Sequence, residues 1–424
     1  MTASPRVAPR ERSLPPVFVL GGDQTDFARN VTREGKGLFD LLGEAAVCAL
    51  EYTGVPARDI DVGHVGSFLP ELYTGQSHLG GLLAEVHPDL AGIPVTRHEA
   101  ACASGGVAVL AAMADLQAGR YDVALVAGVE LMRVLPGFES QQKLGAAAWV
   151  PRETEGIAYP WPELFSHVAE EYERRHGLRR EHLAALARNN YDNARRNPRA
   201  QTRKWTLPEG ALGEDDKENP VIAGRTRRYD ASPVTDGSAC VVLASADYAA
   251  GWAQRRGVPV AGLARIEGYG HRTARMGMKD KLTASRGEPY VFPHVRGAVL
   301  DAFSRARIEG PSALSAVELH DCFTISHYMG IDHLGLAPPG EPFRVIEDGT
   351  VLRGGKLPVN PGGGLMGIGH PVGATGVRML LDAQKQVTGE AGENQVPGAR
   401  RVATLNIGGS ATTAVVLVVG RADS

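Results

Sequence analysis

The chain has few of the features that mark whole classes of protein. Its 424 residues include only four cysteines, at positions 48, 102, 240 and 322. They lie too far apart for the paired spacing of a zinc ribbon or a redox dithiol. A disulfide framework is therefore set aside, and a reduced, cytoplasmic setting is expected. No stretch approaches the roughly 20 apolar residues that a membrane-spanning helix requires. A net charge of -3 supplies no broad basic field for nucleic acid. Residues 1–16 hold charges and prolines without an apolar core, which reads as a disordered lead rather than a signal peptide. The ending Arg421-Ala422-Asp423-Ser424 is not a peroxisomal address.

With 43% hydrophobic and 22% charged residues, the chain can bury a sizeable core and hold two or three domain-sized units. Short β-rich runs (17–20, 123–127) alternate with helical periodicity (38–50, 107–116), the signature of an α/β fold. The two ends of the chain echo each other. A helix with Leu38, Leu41, Leu42, Ala45 and Ala46 on one face leads to a strand at 64–68. A helix with Val299, Leu300, Phe303 and Ala306 leads likewise to a strand at 316–319. A small-residue turn and helix over 102–119 precedes the strand at 123–127, and another over 369–388 precedes a strand at 401–405. This duplication predicts a symmetric core in which the turns at Cys102 and His370 converge. Between the halves, over about 131–230, the strands stop and helical, Arg-rich sequence follows (Arg174-Arg175, Arg179-Arg180, Arg195-Arg196, Arg203-Lys204). That segment reads as an inserted cap whose arginines form a solvated face, and a phosphorylated ligand would find partners there most easily.

Four segments carry chemistry. Cys102 stands among small residues (Glu99-Ala100-Ala101-Cys102-Ala103-Ser104-Gly105-Gly106) at a predicted helix start, where free main-chain N–H groups favour a thiolate and a substrate can approach closely. Cys48 and Cys240 read as structural. In Glu318-Leu319-His320-Asp321-Cys322-Phe323, at a strand end, a histidine and a cysteine lie two apart. His327 and His333 nearby make a metal site conceivable, but the spacing fits zinc poorly, and acid-base chemistry is preferred. Asn360-Pro361-Gly362-Gly363-Gly364 through Gly369-His370-Pro371-Val372-Gly373-Ala374-Thr375-Gly376 lacks the Lys and Ser/Thr of a phosphate loop and a dinucleotide fingerprint's acidic residue. A lone histidine in so much glycine reads as a packed catalytic base. Leu405-Asn406-Ile407-Gly408-Gly409-Ser410 alone would pass for a hairpin turn.

Taken together, these segments resemble the active-site loops of the thiolases, most closely the sterol-carrier-protein type, over nearly the whole chain. His-Asp-Cys-Phe, Gly-His-Pro and Gly-Ala-Thr-Gly stand unbroken. Gln395-Val396-Pro397-Gly398-Ala399, and Ala231-Ser232-Pro233 with Asp236-Gly237, resemble that group too. The resemblance implies a thiolase-like fold of two duplicated α/β halves in a layered αβαβα core. The first half would comprise 17–130 and 231–258, the helical cap 131–230, and the second half 259–424. It further implies an acyltransferase that carries an acyl group on Cys102 and makes or breaks a carbon–carbon bond beside a coenzyme A thioester. His370 would be the base. The main-chain N–H groups of Cys102 and Gly408 would serve as oxyanion donors, with His320 (through a water) and His370 facing the enolate oxygen. Ser232 would touch the pantetheine arm. Ordinary thiolases place a second cysteine in a final Cys-x-Gly loop, whereas this chain has Asn406-Ile407-Gly408, so that role would pass to Cys322. No metal or other cofactor is implied, and a homodimer or homotetramer is expected. An acyl acceptor other than coenzyme A, such as an activated aromatic carbon, and a non-catalytic subunit of an acyltransferase complex are the rival readings.

Overall fold

The computed structural model describes residues 14–424, so most of the lead expected at 1–16 lies outside the described residues. Among the described residues there are eleven strands: β1 Val17–Gln24, β2 Val62–Gly66, β3 Val95–His98, β4 Val123–Glu130, β5 Val221–Ala223, β6 Thr226–Arg227, β7 Gly237–Ala244, β8 Ala264–Thr273, β9 Ala316–Leu319, β10 Arg401–Gly408 and β11 Thr413–Arg421. Nine of them hydrogen-bond in the order β3-β2-β4-β7-β1-β8-β11-β10-β9. That order shows the duplication. In the first half β2 runs parallel to β4, and β7 is antiparallel to both β4 and β1. In the second half β9 runs parallel to β10, and β11 is antiparallel to both β10 and β8. A short antiparallel contact of Val17–Val19 with Ala264–Ile266 joins the halves.

Strand periodicity explains the layering. Side chains alternate between sheet faces, so Val241 and Leu243 of β7 enter an inner core while Cys240, Val242 and Ala244 enter an outer one. Across the other half, Leu417 and Val419 of β11 face the same inner core, and Val416 and Val418 face outward. Two central helices, Ser104–Gln117 and Val372–Thr388, fill that inner space. Both are largely covered, and the second buries Arg378 against Glu318 and Asp382 as well as its apolar residues. Helix Leu38–Thr53 covers the outer face of the first half and Pro293–Arg305 that of the second. The resulting order is αβαβα.

The segment between β4 and β7 carries the helices Gly137–Leu144, Pro160–His176 and Arg180–Ala194. Contrary to the expectation that strands stop here, it also holds the β5–β6 hairpin. Its arginines are less solvated than expected. Arg175 is 6% exposed and pairs with Glu171 at 2.7 Å, Arg180 reaches Asp230 at 2.6 Å, and Arg203 reaches Asp26 at 2.8 Å. Among the described residues, no helix is long and apolar enough to cross a membrane.

Candidate active site

Cys102 occupies the turn between β3 and the first central helix. Ala101 before it sits at φ 52°, a left-handed conformation that a residue with a Cβ rarely adopts and that often marks functional turns. Ser104 Oγ ties the turn, accepting the Ala100 N–H at 2.9 Å and donating to the Ala101 carbonyl at 2.6 Å. β9 delivers His320 one residue beyond its end, where the His320 N–H donates to the Leu405 carbonyl at 2.9 Å. His370 enters just ahead of the second central helix, its N–H donating to Thr235 Oγ1 at 2.9 Å.

The duplicated turns meet. Ligand-type atoms of Cys102, His320 and His370 all lie within 4.8 Å of one another. The two imidazoles are edge to face, 5.0 Å between centroids at 87°. Glycine makes this approach possible, since a Cβ on Gly105 would stand 2.6 Å from the Gly373 carbonyl oxygen. Cys322, at the start of helix Thr324–Leu334, is buried with its sulfur 3.6 Å from Ser326 Oγ. The Ser232 N–H donates to the Cys322 carbonyl at 2.8 Å, which places Ser232 beside that loop. Gly408 presses on the Cys102 turn, where an added Cβ would lie 3.1 Å from that of Ala103. The metal candidates His327 and His333 do not converge on the trio: both His333 ring nitrogens are taken, by the Phe292 N–H at 3.0 Å and the Met329 carbonyl at 2.7 Å.

Burial sets the protonation states. It pushes the Cys102 thiol up to about 12, although the main-chain N–H of Gly409 and its own oppose the rise. The downward pull expected from the helix-start N–H groups is thus outweighed by desolvation in this turn. Burial, and then the Arg378 charge, lower His370 to about 3. Burial, His370 and Arg378 hold His320 well below the usual imidazole range. Burial and the neighbouring Cys102 hold the Cys322 thiol well above its usual range. At neutral pH the site therefore rests with two thiols and two uncharged imidazoles.

Several supporting residues were not singled out from sequence. His370 Nδ1 lies 2.7 Å from Thr375 Oγ1, whose own proton goes to the Pro371 carbonyl at 3.0 Å. With that proton on the Pro371 carbonyl, the hydroxyl accepts from Nδ1–H, and His370 Nε2, which has no partner, presents a lone pair. Asp321 accepts the N–H groups of Leu365 (2.6 Å) and Met366 (3.1 Å) and the amide of Asn190 (2.6 Å), fastening the glycine loop. Glu130 accepts from Ser67 Oγ (3.2 Å) and from the N–H groups of Phe68 (2.8 Å), Leu69 (3.1 Å) and Gly373 (3.1 Å), so it pins both halves near the nucleophile. Of these, Thr375 had a signal in its placement five residues beyond His370, in the first turn of the helix. The partners of Glu130 come from distant segments, and nothing local marks it.

Duplicated α/β halves with a thiol and two histidines at their meeting point define a class of acyl-transfer enzymes. Residues 17–247 match the family description "Thiolase, N-terminal domain" and residues 277–421 match "Thiolase C-terminal domain-like". The chain belongs to the thiolase family and is an acyltransferase. It is 34% identical over 406 residues to an acetyl-CoA acetyltransferase of Methanothermobacter thermautotrophicus, covering 96% of this chain and 99% of that one. It is 28% identical to sterol carrier protein 2 of Rattus norvegicus, covering 97% of this chain and 73% of that one. Its fold is similar to that of the solved Ltp2-ChsH2(DUF35) aldolase, with a TM-score of 0.76, 20% identity, and coverage of 96% of this chain and 99% of that one.

Proposed function

We propose that the protein forms an acyl-enzyme on Cys102 from an acyl- or 3-ketoacyl-coenzyme A and makes or breaks a carbon–carbon bond by Claisen chemistry. The observation that carries this is the thiol of Cys102 gathered within 4.8 Å of two neutral histidines, one with a bare Nε2. His370 Nε2 takes the Cys102 proton as the sulfur attacks the thioester carbonyl. The oxyanion is met by main-chain N–H groups of Cys102 and Gly408. Coenzyme A leaves with the Cys322 proton, and the Cys322 thiolate then removes the α-proton of a second acyl-coenzyme A. His320 and the protonated His370 stabilise the enolate. The enolate attacks the Cys102 thioester, and the departing Cys102 sulfur recovers its proton from His370.

The cavity beside Phe323 and Thr324 holds Arg180, Arg225 and Arg227 together with Glu214 and Asp230, and each arginine is paired with a carboxylate; Ser232 borders the same loop, where the pantetheine arm would lie. Four free cysteines suit a reduced, cytoplasmic setting, and family resemblance suits a homo-oligomer acting without a metal or further cofactor. A second reading, transfer to an acceptor other than coenzyme A with an accessory subunit, draws support from Asn406 in place of the family's final-loop cysteine. The test is turnover of a panel of 3-ketoacyl-coenzyme A esters, beginning with acetoacetyl-coenzyme A, with and without candidate partner proteins. Cleavage by the chain alone supports the first reading. Acylation of Cys102 with no cleavage of any ester supports the second.

A further inference from the structure

Asn406 stands where the ordinary thiolases keep their final-loop cysteine, and its surroundings give it a different task. It is buried on β10 at 2% exposure. Its Nδ2 lies 3.0 Å from the Cys102 carbonyl oxygen and 3.2 Å from His320 Nδ1. A carbonyl oxygen can only accept, so this contact fixes which way the amide faces, independently of any assignment of its two ends. The second N–H of the same amide is then directed at His320 Nδ1, which must offer its lone pair. An uncharged imidazole carries one proton, and that proton is left on Nε2.

The slot around the amide matches its shape, while Oδ1 has no hydrogen-bond partner there. Asn406 Oδ1 lies between the two central helices, where a Cβ on Gly106 would stand 2.9 Å away and one on Gly376 2.5 Å away. Both distances fall below those that real Cβ atoms show, so one glycine from each half makes room for the side chain. A thiol at this position has a single weak donor and could not serve both the Cys102 carbonyl and His320.

His370 is held in the opposite state. Its Nδ1 donates to Thr375 and its Nε2 is bare. The two rings, edge to face at 5.0 Å, thus differ in which nitrogen carries the proton. We propose that Asn406 is a positioning residue that sets the tautomer of His320, making His320 a hydrogen-bond donor and leaving the role of base to His370. This rests on the acyl-transfer reading for its consequence, while the tautomer itself is measurable without turnover.

The test combines two readouts. The 15N spectrum of histidine-labelled protein, with His320 assigned through His320→Gln, should show Nε2 protonated and Nδ1 bare in the wild type. In Asn406→Ala the Nδ1 signal should move toward a mixture of tautomers. Carbon–carbon bond formation should fall at least about tenfold and by more than acyl-enzyme formation does, approaching the roughly 10²–10³-fold cost of deleting an oxyanion donor. Asn406→Gln, which keeps the amide, should recover part of that loss if its longer side chain is accommodated. A wild-type spectrum with Nδ1 protonated overturns the inference, as does Asn406→Ala with an unchanged His320 signal and an unchanged bond-forming rate. Should Asn406→Ala fail to fold, the wild-type spectrum still decides. If wild-type Cys102 takes no acyl group at all, the acyl-transfer reading fails, and the spectrum judges the tautomer separately.

Discussion

Thr375 Oγ1 lies 2.7 Å from His370 Nδ1 and holds the ring with its Nε2 lone pair free. Replacing Thr375 with Val keeps the shape and removes the acceptor, leaving a buried N–H unpaired at a cost of about 1–3 kcal/mol. The ring then gains by protonating Nε2 instead, and a base in the wrong tautomer cannot accept the thiol proton. Acylation of Cys102, followed by stopped-flow release of coenzyme A, should slow at least about tenfold, within the roughly 10²–10⁴-fold that a general base contributes. Thr375→Ser should stay near the wild-type rate. Equal rates in the Val variant would remove Thr375 from the mechanism.

The pH dependence of acylation follows from the same burial. His370 is a base only when uncharged, and its lowered value of about 3 means that state persists on the alkaline side of that value. The Cys102 thiol, raised to about 12, stays protonated through neutral pH and depends on His370 throughout. The rate should therefore be flat from about pH 5 to 9, without the break near 6.5 that an ordinary imidazole would give. An acid limb centred near 6.5 in the acylation rate would contradict this.

Cys322→Ala separates the two chemical steps. The acyl-enzyme should still form on Cys102, with carbon–carbon bond formation falling at least about 10²-fold, the lower bound for loss of an acid-base group. Rapid-quench sampling of acyl-enzyme and product gives both rates. Bond formation at the wild-type rate would make Cys322 structural.

Asp321 accepts three N–H groups in a fully buried place. Asp321→Asn turns one acceptor into a donor facing donors, which should cost at least about 1–3 kcal/mol. The loss is expected in urea unfolding, together with weaker substrate binding as the loop around Gly364 loosens. An unchanged midpoint would show that the loop is held from elsewhere.

Much of this site was legible in the sequence because its chemistry sits in contiguous motifs. Cys102, His320, Cys322 and His370 each follow a strand or open a helix, and the repeated order of those elements already placed two of the turns face to face. Strand β9 matches the expected 316–319 to the residue, since three of its four residues are apolar and Gly310-Pro311 ends the helix before it. β2 was read two residues late, because Val62-Gly63 before His64 carries a glycine that breaks the apolar run. The β5–β6 hairpin was missed because only five residues, two of them exposed, form it. The downward pull expected at Cys102 was outweighed for a different reason: the helix-start N–H groups are local, whereas the desolvation that overrides them comes from the whole enclosure. Asn406 was noticed as a departure, yet its contacts with Cys102 and His320 join residues 304 and 86 positions apart.

The central claim is that Cys102 alone carries the acyl group, and the most direct measurement is intact mass with peptide mapping after mixing the protein with an acyl-coenzyme A. The account predicts one acyl group per chain, on the peptide containing Cys102, and none in Cys102→Ala. Labelling of Cys48, Cys240 or Cys322, or a label that persists in Cys102→Ala, would contradict it.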